Sequence, residues 1–335
     1  MIKLRKFGEN PIIQPIPQHP WESRATFNPA AVYEGGKVHI IYRAMSEDNT
    51  SVLGYASSKD GVHIDERLLE PIYVPREDFE KKAAPGNSGC EDPRITKIGD
   101  RFYMCYTAYD AKNPTRVALT SIKVEDFLRK QWNWKKPILI SPPEINDKNA
   151  CILPEKVDGK YAIFHRIDPC IWVDFVDSLE FIGDRWIKGS IWFKTRLDKW
   201  DDRKIGIAAP PIKTEDGWLL IYHGLSEQDR GYRLGAMLLE LKNPTRAIFR
   251  SDYPVLEPEE RYENEGLRPK TVFACGAVVI KDELFVYYGA ADKVVCVATK
   301  KLDDFLDQLK HSEPKLEPVT IHGFGLENSS YVCHD

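Results

Sequence analysis

The chain repeats one strand pattern five times, at intervals too long for a single element and too regular for chance. The segments are Lys37-Val-His-Ile-Ile-Tyr-Arg43, Arg101-Phe-Tyr-Met-Cys-Tyr-Thr107, Lys160-Tyr-Ala-Ile-Phe-His-Arg166, Gly217-Trp-Leu-Leu-Ile-Tyr-His223 and Glu283-Leu-Phe-Val-Tyr-Tyr-Gly289. Alignment of Tyr42, Tyr106, His165, Tyr222 and Tyr288 gives spacings of 64, 59, 57 and 66 residues. Before each segment lie an apolar stretch and a short turn, Gly35-Gly36, Gly99-Asp100, Asp158-Gly159, Glu215-Asp-Gly217 and Lys281-Asp282. Alternation of apolar and polar residues bounded by such turns is the signature of hairpins. A supersecondary unit repeated at a near-fixed period predicts an all-β fold, a five-bladed β-propeller with a central pocket. The blades fall roughly at 25–75, 88–140, 148–198, 205–255 and 268–300 of one domain spanning 1–335, with terminal extensions. A β-sandwich or two smaller β domains are the alternatives. Only Val124–Leu128 and Leu302–Leu309 read as short helices.

Composition narrows the partners. A net charge of -4 argues against nucleic acid, because phosphate backbones select basic surfaces. No apolar run approaches the roughly 20 residues of a membrane helix. The start, Met1-Ile-Lys-Leu-Arg-Lys-Phe7, lacks a signal-peptide core, which predicts a cytoplasmic location. Seven cysteines at irregular spacing fit buried thiols better than a disulfide framework. No zinc-type cluster and no glycine-rich phosphate loop is present, so no metal or organic cofactor is expected. The 12–21 segment could dock a neighbour in a homo-oligomer or fold back on its own chain.

In a radial fold, equivalent positions converge. One residue beyond the aligned aromatic stand Arg43, Arg166 and His223, and Lys148 and Lys204 add two further cations. Guanidinium binds phosphate bidentately and lysine acts as a point charge, so this set suits one anion. Taken singly, each basic residue reads as a solvated rim charge, and it is the shared position of Arg43, Arg166 and His223 that favours the anion. The motif Gly89-Cys-Glu-Asp-Pro-Arg94 supplies carboxylates at the entry of the second inner strand. Pro93 biases Asp92 toward an extended backbone. Asp92 is then a candidate general acid, or caps a turn while Arg94 pairs with Glu91. Asp292 follows the fifth aromatic strand and is placed to bind hydroxyls. Trp132, Trp134, Trp186 and Trp192 read as packing between outer strands, and His165 as packing rather than a ligand.

Six motifs in order carry a resemblance. Phe27-Asn-Pro29, Glu91-Asp-Pro-Arg94, Leu153-Pro-Glu-Lys156 with His165-Arg166, Tyr222-His-Gly224, Tyr232-Arg-Leu-Gly235 and Tyr287-Tyr-Gly-Ala-Ala-Asp292 resemble glycoside hydrolase family 130. That family comprises β-mannoside phosphorylases and related hydrolases on a five-bladed propeller. The resemblance implies inverting phosphorolysis, in which a β-mannoside and inorganic phosphate give α-mannose 1-phosphate and a shortened acceptor. It implies Asp92 as proton donor, acting through the mannose 3-hydroxyl. Lys148, Arg166 and His223 fall on phosphate-binding positions. Asn28, Arg43, Lys204 and Asp292 fall on mannosyl-binding positions, with Asn149 and Tyr232 nearby. Lys148 stands where arginine is equally expected, and Lys270-Thr271 where asparagine and valine are expected.

Chemistry agrees with that reading. An inverting hydrolase needs a second carboxylate, roughly 6.5–9.5 Å from the acid, to activate water. Phosphate is already an anionic nucleophile, so cations that position it replace the base. A hydrolase with Glu227 or Glu263 as base, and a non-catalytic sugar- or protein-binding propeller, are the competing expectations.

Overall fold

The computed structural model describes residues 2–183 and 185–311. The turn chemistry sets the hairpins. Asp158 and Gly159 both have positive φ, 49° and 79°, the requirement of a type I′ turn whose twist matches the flanking strands. Lys281 and Asp282 close the last hairpin with φ of 45° and 65°.

Five antiparallel units follow from these turns, four-stranded except the fourth, where Ile212–Lys213 also pairs with Trp218–Leu225. The first pairs Ala25–Glu34, Lys37–Met45, Thr50–Ser58 and Glu66–Arg67. The second pairs Ser88–Ile98, Arg101–Tyr109, Arg116–Lys123 and Ile138–Leu139. The third pairs Asp147–Ile152, Tyr161–Ile167, Cys170–Val176 and Ser190–Phe193. The fourth pairs Lys204–Ile207, Trp218–Leu225, Tyr232–Leu239 and Ala247–Arg250. The fifth pairs Val272–Ile280, Glu283–Ala290 and Val294–Lys301, and takes its outermost strand, Arg5–Lys6, from the chain's other end. A short parallel contact, Thr50 with Ser88 and Ser51 with Gly89, joins the first two units. Helices are few: Val124–Leu128 and Leu302–Lys310 lie where the sequence places them, and Arg261–Asn264 adds one short turn. Among the described residues no helix is long and apolar enough to cross a membrane. The segment before the first unit folds back on its own chain, with Ile12 and Ile13 bonded to Val295.

The aligned aromatics have a shared structural role that their sequence pattern does not reveal. Each bonds a carboxylate that is 0% exposed, delivered by the loop leading into the same unit or by the start of its inner strand. Tyr42 Oη donates to Glu22 at 2.8 Å, Tyr106 to Glu80 at 2.5 Å, Tyr222 to Asp201 at 2.9 Å and Tyr288 to Glu263 at 2.9 Å. In the third unit His165 Nδ1 meets Asp147 at 2.7 Å, so an imidazole takes the place of the phenol. Burial pushes the four phenols above their ordinary value and keeps them protonated donors. A cation from the outermost strand completes three of these centres. Arg67 reaches Glu22 at 2.6 Å, Arg250 reaches Asp201 at 2.7 Å and Lys6 reaches Glu263 at 2.7 Å.

The first and fourth units match in finer detail. Trp21 and Trp200, each one residue before the carboxylate, stack on Tyr42 and Tyr222. Across from those rings stand Gly54 and Gly235, where a Cβ would lie 2.4 and 2.5 Å from ring carbons. Apolar packing surrounds the polar centres. Trp132 and Trp134 pack on Phe127, and Trp192 stacks on Phe164. Trp186 lies under Arg116, so all four tryptophans serve the outer strands as expected. Cys90, Cys105, Cys151, Cys275 and Cys296 are free, buried thiols.

Removing one donor from a buried carboxylate leaves it under-satisfied, at a cost of about 1–3 kcal/mol. Tyr42→Phe and Tyr222→Phe are each expected to lower unfolding stability by that amount. Gly235→Ala, which drives a methyl into the Tyr222 ring, is expected to cost about 1–3 kcal/mol or more. Urea unfolding midpoints measure all three, and unchanged midpoints would refute this role for the aromatics.

Candidate functional site

A register shift interrupts four of the five inner strands at matching places. The irregularities lie between Phe27 and Ala30, Glu91 and Arg94, Lys148 and Cys151, and Ala274 and Gly276. Within the first three, Asn28, Asp92 and Asn149 take φ of 46°, 52° and 54°. Asparagine and aspartate tolerate this left-handed conformation better than other side chains. A bulge leaves its extra residue unpaired and re-aims its side chain. It also explains why Pro29 and Pro93 are accepted inside strands, since no ladder donor is lost there. The expectation of an extended Asp92 is thereby corrected: the bulge outweighs the bias imposed by Pro93.

The re-aimed side chains meet. Asn28 Nδ2 donates to Asp92 Oδ1 at 2.9 Å, and Arg43 Nη1 donates to the same oxygen at 3.1 Å. Arg43 Nη2 binds Glu91 at 2.8 Å and its Nε binds Ser51 at 2.9 Å. Glu91 therefore pairs with Arg43, not with Arg94. Arg94 is instead 1% exposed and donates to the carbonyls of Ala208, Ile207 and Asp92. It fastens the second unit's inner strand to the end of the fourth's. Room for Asn28 comes from the fifth unit, where a Cβ on Gly289 would lie 2.2 Å from Asn28 Oδ1. Gly289 holds the same place after the aromatic as Arg43, Thr107, Arg166 and His223.

A second group adjoins the first. Lys148 Nζ lies 3.5 Å from Glu91 Oε2, and opposite it in the ladder stands Arg166. Arg166 Nε lies 2.7 Å from Asp168 Oδ1, a charge contact without hydrogen-bond alignment. Lys204 Nζ lies 3.1 Å from the other oxygen of Asp168. His223 is wholly buried, edge-on to Tyr232 and against Phe273. A Cβ on Gly206 would meet both His223 Nε2, at 2.5 Å, and Asn149 Oδ1, at 2.8 Å, so those two groups share one side of the site. Arg268 stacks over the Tyr232 ring at 4.6 Å. Lys204, expected with the sugar residues, stands with Arg166.

Charge states follow from these surroundings. Burial disfavours charge on Asp92, but Arg43, Asn28, Arg94 and Lys148 outweigh it and hold the carboxyl below its ordinary range. Arg43 is held charged against burial by Glu91, Asp92 and Asp292. Burial, with the Asp92 charge, pushes Asp292 up to about 6 despite Arg43. His223 falls well below its ordinary value, through burial first and then Arg166, Arg94 and Lys204. It is a neutral imidazole in this site, which corrects its inclusion among the cations. Several buried polar atoms here have no partner within the chain: Asn28 Oδ1, Thr107 Oγ1, Asn149 Oδ1 and both His223 nitrogens. Buried polar groups are normally paired, so such a concentration marks a place built for a polar ligand. Among the described residues no group of three His, Cys, Asp or Glu side chains could hold a metal ion.

Sequence reasoning paired Glu91 with Arg94 alone, and missed Asp168 as a counter-charge and Arg94 as the inter-unit fastening. The motif Glu91-Asp-Pro-Arg94 and its shorter echo, Asp168-Pro169 with Asp168 two residues after the cationic Arg166, were the available signals. The two alternative bases are engaged elsewhere. Glu227 is exposed and bonded to Arg203 and Arg230, and Glu263 holds Lys6 and Tyr288.

An all-β scaffold that gathers buried carboxylates, cations and unpaired polar atoms in one place has the donors and acceptors that a carbohydrate-active site needs. The chain belongs to glycoside hydrolase family 130, whose model, described as beta-1,4-mannooligosaccharide phosphorylase, matches residues 3–311. It is 41% identical over 314 residues to a beta-1,2-mannobiose phosphorylase of a Thermoanaerobacter species, covering 89% of this chain and 97% of that protein. A beta-1,2-mannobiose phosphorylase of Listeria innocua, solved with beta-1,2-mannobiose, superposes with a TM-score of 0.75 at 27% identity, covering 92% and 99%. A further structure at TM-score 0.75 and 27% identity, covering 95% and 97%, comes from work on family members that hydrolyse beta-1,2 mannosidic linkages in Candida mannan.

The raised Asp292 has a measurable consequence. A folded-state value of about 6 against an ordinary 3.8 means that the folded chain binds more protons between those values. The stability linked to this group is therefore full below the ordinary value and is lost as pH rises through about 6. The stability difference between wild type and Asp292→Asn, measured by denaturant titration, is expected to fall between pH 4 and pH 7. A difference that is flat with pH would show that Asp292 ionises normally.

Proposed function

We propose that this chain is an inverting β-mannoside phosphorylase built on a five-bladed propeller that forms one catalytic domain. Support for the propeller comes from the inner strands of units one to four, which touch in chain order, and from the fifth, which packs on the fourth unit and on the first inner strand. The N-terminal strand completing the fifth unit would then join the two ends of the ring. Residues 312–335 of the expected domain lie outside the described residues.

The observation that carries the reaction is the grouping of Lys148, Arg166 and Lys204, with neutral His223, beside the Asn28–Arg43–Asp92 cluster. In this reading Arg166, Lys148 and Lys204 hold inorganic phosphate, and His223 gives it a hydrogen bond. Asn28, Arg43, Asn149, Tyr232 and Asp292 hold the mannosyl unit. A phosphate oxygen attacks the anomeric carbon from the face opposite the glycosidic oxygen. The glycosidic C–O bond breaks, the leaving oxygen takes a proton that originates from Asp92, and α-mannose 1-phosphate forms. For Asp92 to carry that proton, the sugar must take over donors that now hold its charge, and Asn28 and Arg43 are those donors. The similarity to a beta-1,2-mannobiose phosphorylase favours a β-1,2 linkage over the β-1,4 linkage of the family description.

Hydrolysis is disfavoured because neither Glu227 nor Glu263 is free. Asp168 is engaged as well, paired with Arg166 and Lys204.

Wild type with β-1,2-mannobiose is expected to give α-mannose 1-phosphate only when phosphate is present. Loss of a charge-assisted phosphate contact is worth about 1.5–3 kcal/mol, or roughly 10- to 100-fold. Arg166→Ala should raise the phosphate KM by that factor and leave the mannoside KM nearly unchanged. Asp92→Asn should lower kcat about 10²- to 10⁴-fold. Free mannose released equally with and without phosphate would overturn the reading.

A further inference from the structure

Asp168 is unusual among the charged groups of the site. Its neighbours Arg166 and Lys204 have side chains 8% and 21% exposed, whereas its own is 56% exposed. Half-exposed ion pairs contribute little stability, about 0–1 kcal/mol, so stability alone does not account for the arrangement. Its position is nevertheless tightly defined. Ile167 pairs with Cys170, which leaves Asp168 and Pro169 as the two residues of a hairpin turn. The Pro169 carbonyl accepts from Ile205 N at 3.0 Å and ties that turn to the strand carrying Lys204. One carboxylate is thus held between a cation of the third unit and a cation of the fourth.

A carboxylate beside two phosphate-binding cations repels any incoming anion. That repulsion is relieved in one circumstance, when the anion brings a proton. An ionised carboxylate only accepts hydrogen bonds. Hydrogenphosphate has an O–H to donate, and sulfate, fully ionised at neutral pH, has none. We infer that Asp168 is a specificity-determining residue, accepting a hydrogen bond from the protonated oxygen of hydrogenphosphate and excluding sulfate from the same cations. The inference rests on the phosphate site proposed above. Specificity of this kind comes from a built-in repulsive element and needs no extra attraction for the favoured ligand. A site whose polar group requires a ligand hydrogen can reject the analogue lacking it by several orders of magnitude. The other charges facing this place, Arg166, Lys204 and Lys148, attract both anions alike and cannot separate them.

The test is inhibition of phosphorolysis of β-1,2-mannobiose by sodium sulfate at fixed ionic strength, in wild type and Asp168→Asn. The asparagine keeps the side chain's shape and removes its charge. Sulfate is expected to inhibit the variant at least about tenfold more strongly than wild type, and the ratio of the sulfate inhibition constant to the phosphate KM is expected to fall. Equal sulfate inhibition in the two proteins overturns the inference. So does a variant in which phosphate and sulfate tighten by the same factor, because Asp168 would then be only an indiscriminate counter-charge. Arg166→Ala, assayed alongside, separates the two levels of the argument. If that variant loses phosphate use while Asp168→Asn behaves as wild type toward sulfate, the selectivity role alone is rejected. If Arg166→Ala retains normal phosphate dependence, the phosphate site itself is rejected.

Discussion

The buried carboxylate bound to each aligned aromatic is the constraint on which the rest of the structure depends. A carboxylate at 0% exposure is costly unless its lone pairs are filled, so once the strands carry Tyr42, Tyr106, Tyr222 and Tyr288 inward, the incoming loops have one place to go. Glu22, Glu80, Asp201 and Glu263 take up those donors, and Asp147 with His165 solves the same problem with the polarity rearranged. In the first, third and fourth units the inner strand begins at that carboxylate or three residues after it, so fixing the carboxylate fixes where the strand starts. Apolar packing alone would tolerate a slip, because neighbouring Val, Ile and Leu are nearly interchangeable partners. A hydrogen-bonded centre is not so tolerant.

Strand register matters here because the functional groups sit on bulges. Asn28, Asp92 and Asn149 depart from pleat alternation in a left-handed conformation, and a one-residue slip would turn each to the opposite face. In the fourth unit the inner strand Lys204–Ile207 carries no left-handed residue and contributes differently: Gly206 removes a side chain and the cross-strand His223 fills the space. In the fifth unit, Gly289 makes way for Asn28. A five-fold pattern of backbone therefore produces an asymmetric site, because the same position holds arginine, threonine, arginine, histidine and glycine in turn.

Much of this was legible from the chain, for a physical reason. Strands, hairpins and the position after the aromatic are local, encoded by alternation and by turn residues such as Asp158-Gly159. The carboxylate anchors were not legible, because they precede their aromatics by intervals that vary with loop length, as Glu22 before Tyr42 and Glu80 before Tyr106 show. Their outer-strand cations lie at still less regular distances. Charge states escaped for a different reason. Histidine at 223 reads as a cation by residue type, yet burial among arginines and lysine makes it neutral, and burial appears only when the units are assembled. Asp168 was hidden by its ordinariness: an Asp-Pro pair in a turn has no chemistry until the neighbouring strand brings Lys204 to it.

The electrostatics of the site follow one rule. No cation that the proposed reaction uses is left without a counter-charge, and the counter-charges are shared. Glu91 spans Arg43 and Lys148, and Asp168 spans Arg166 and Lys204. Unshielded, these four cations together with Arg94 would repel one another across a few ångströms of partly dry protein, where such repulsion amounts to several kcal/mol. Bridging carboxylates hold them at working separations before any ligand arrives. The two bridges differ in a way that matters for chemistry. Glu91 is nearly sealed, so its ion pairs are a fixed part of the scaffold, whereas Asp168 faces solvent, so its contacts can rearrange at low cost. In the proposed reaction Arg43 and Lys148 would be held by the sealed bridge, and Arg166 and Lys204 by the one that an entering anion can reach.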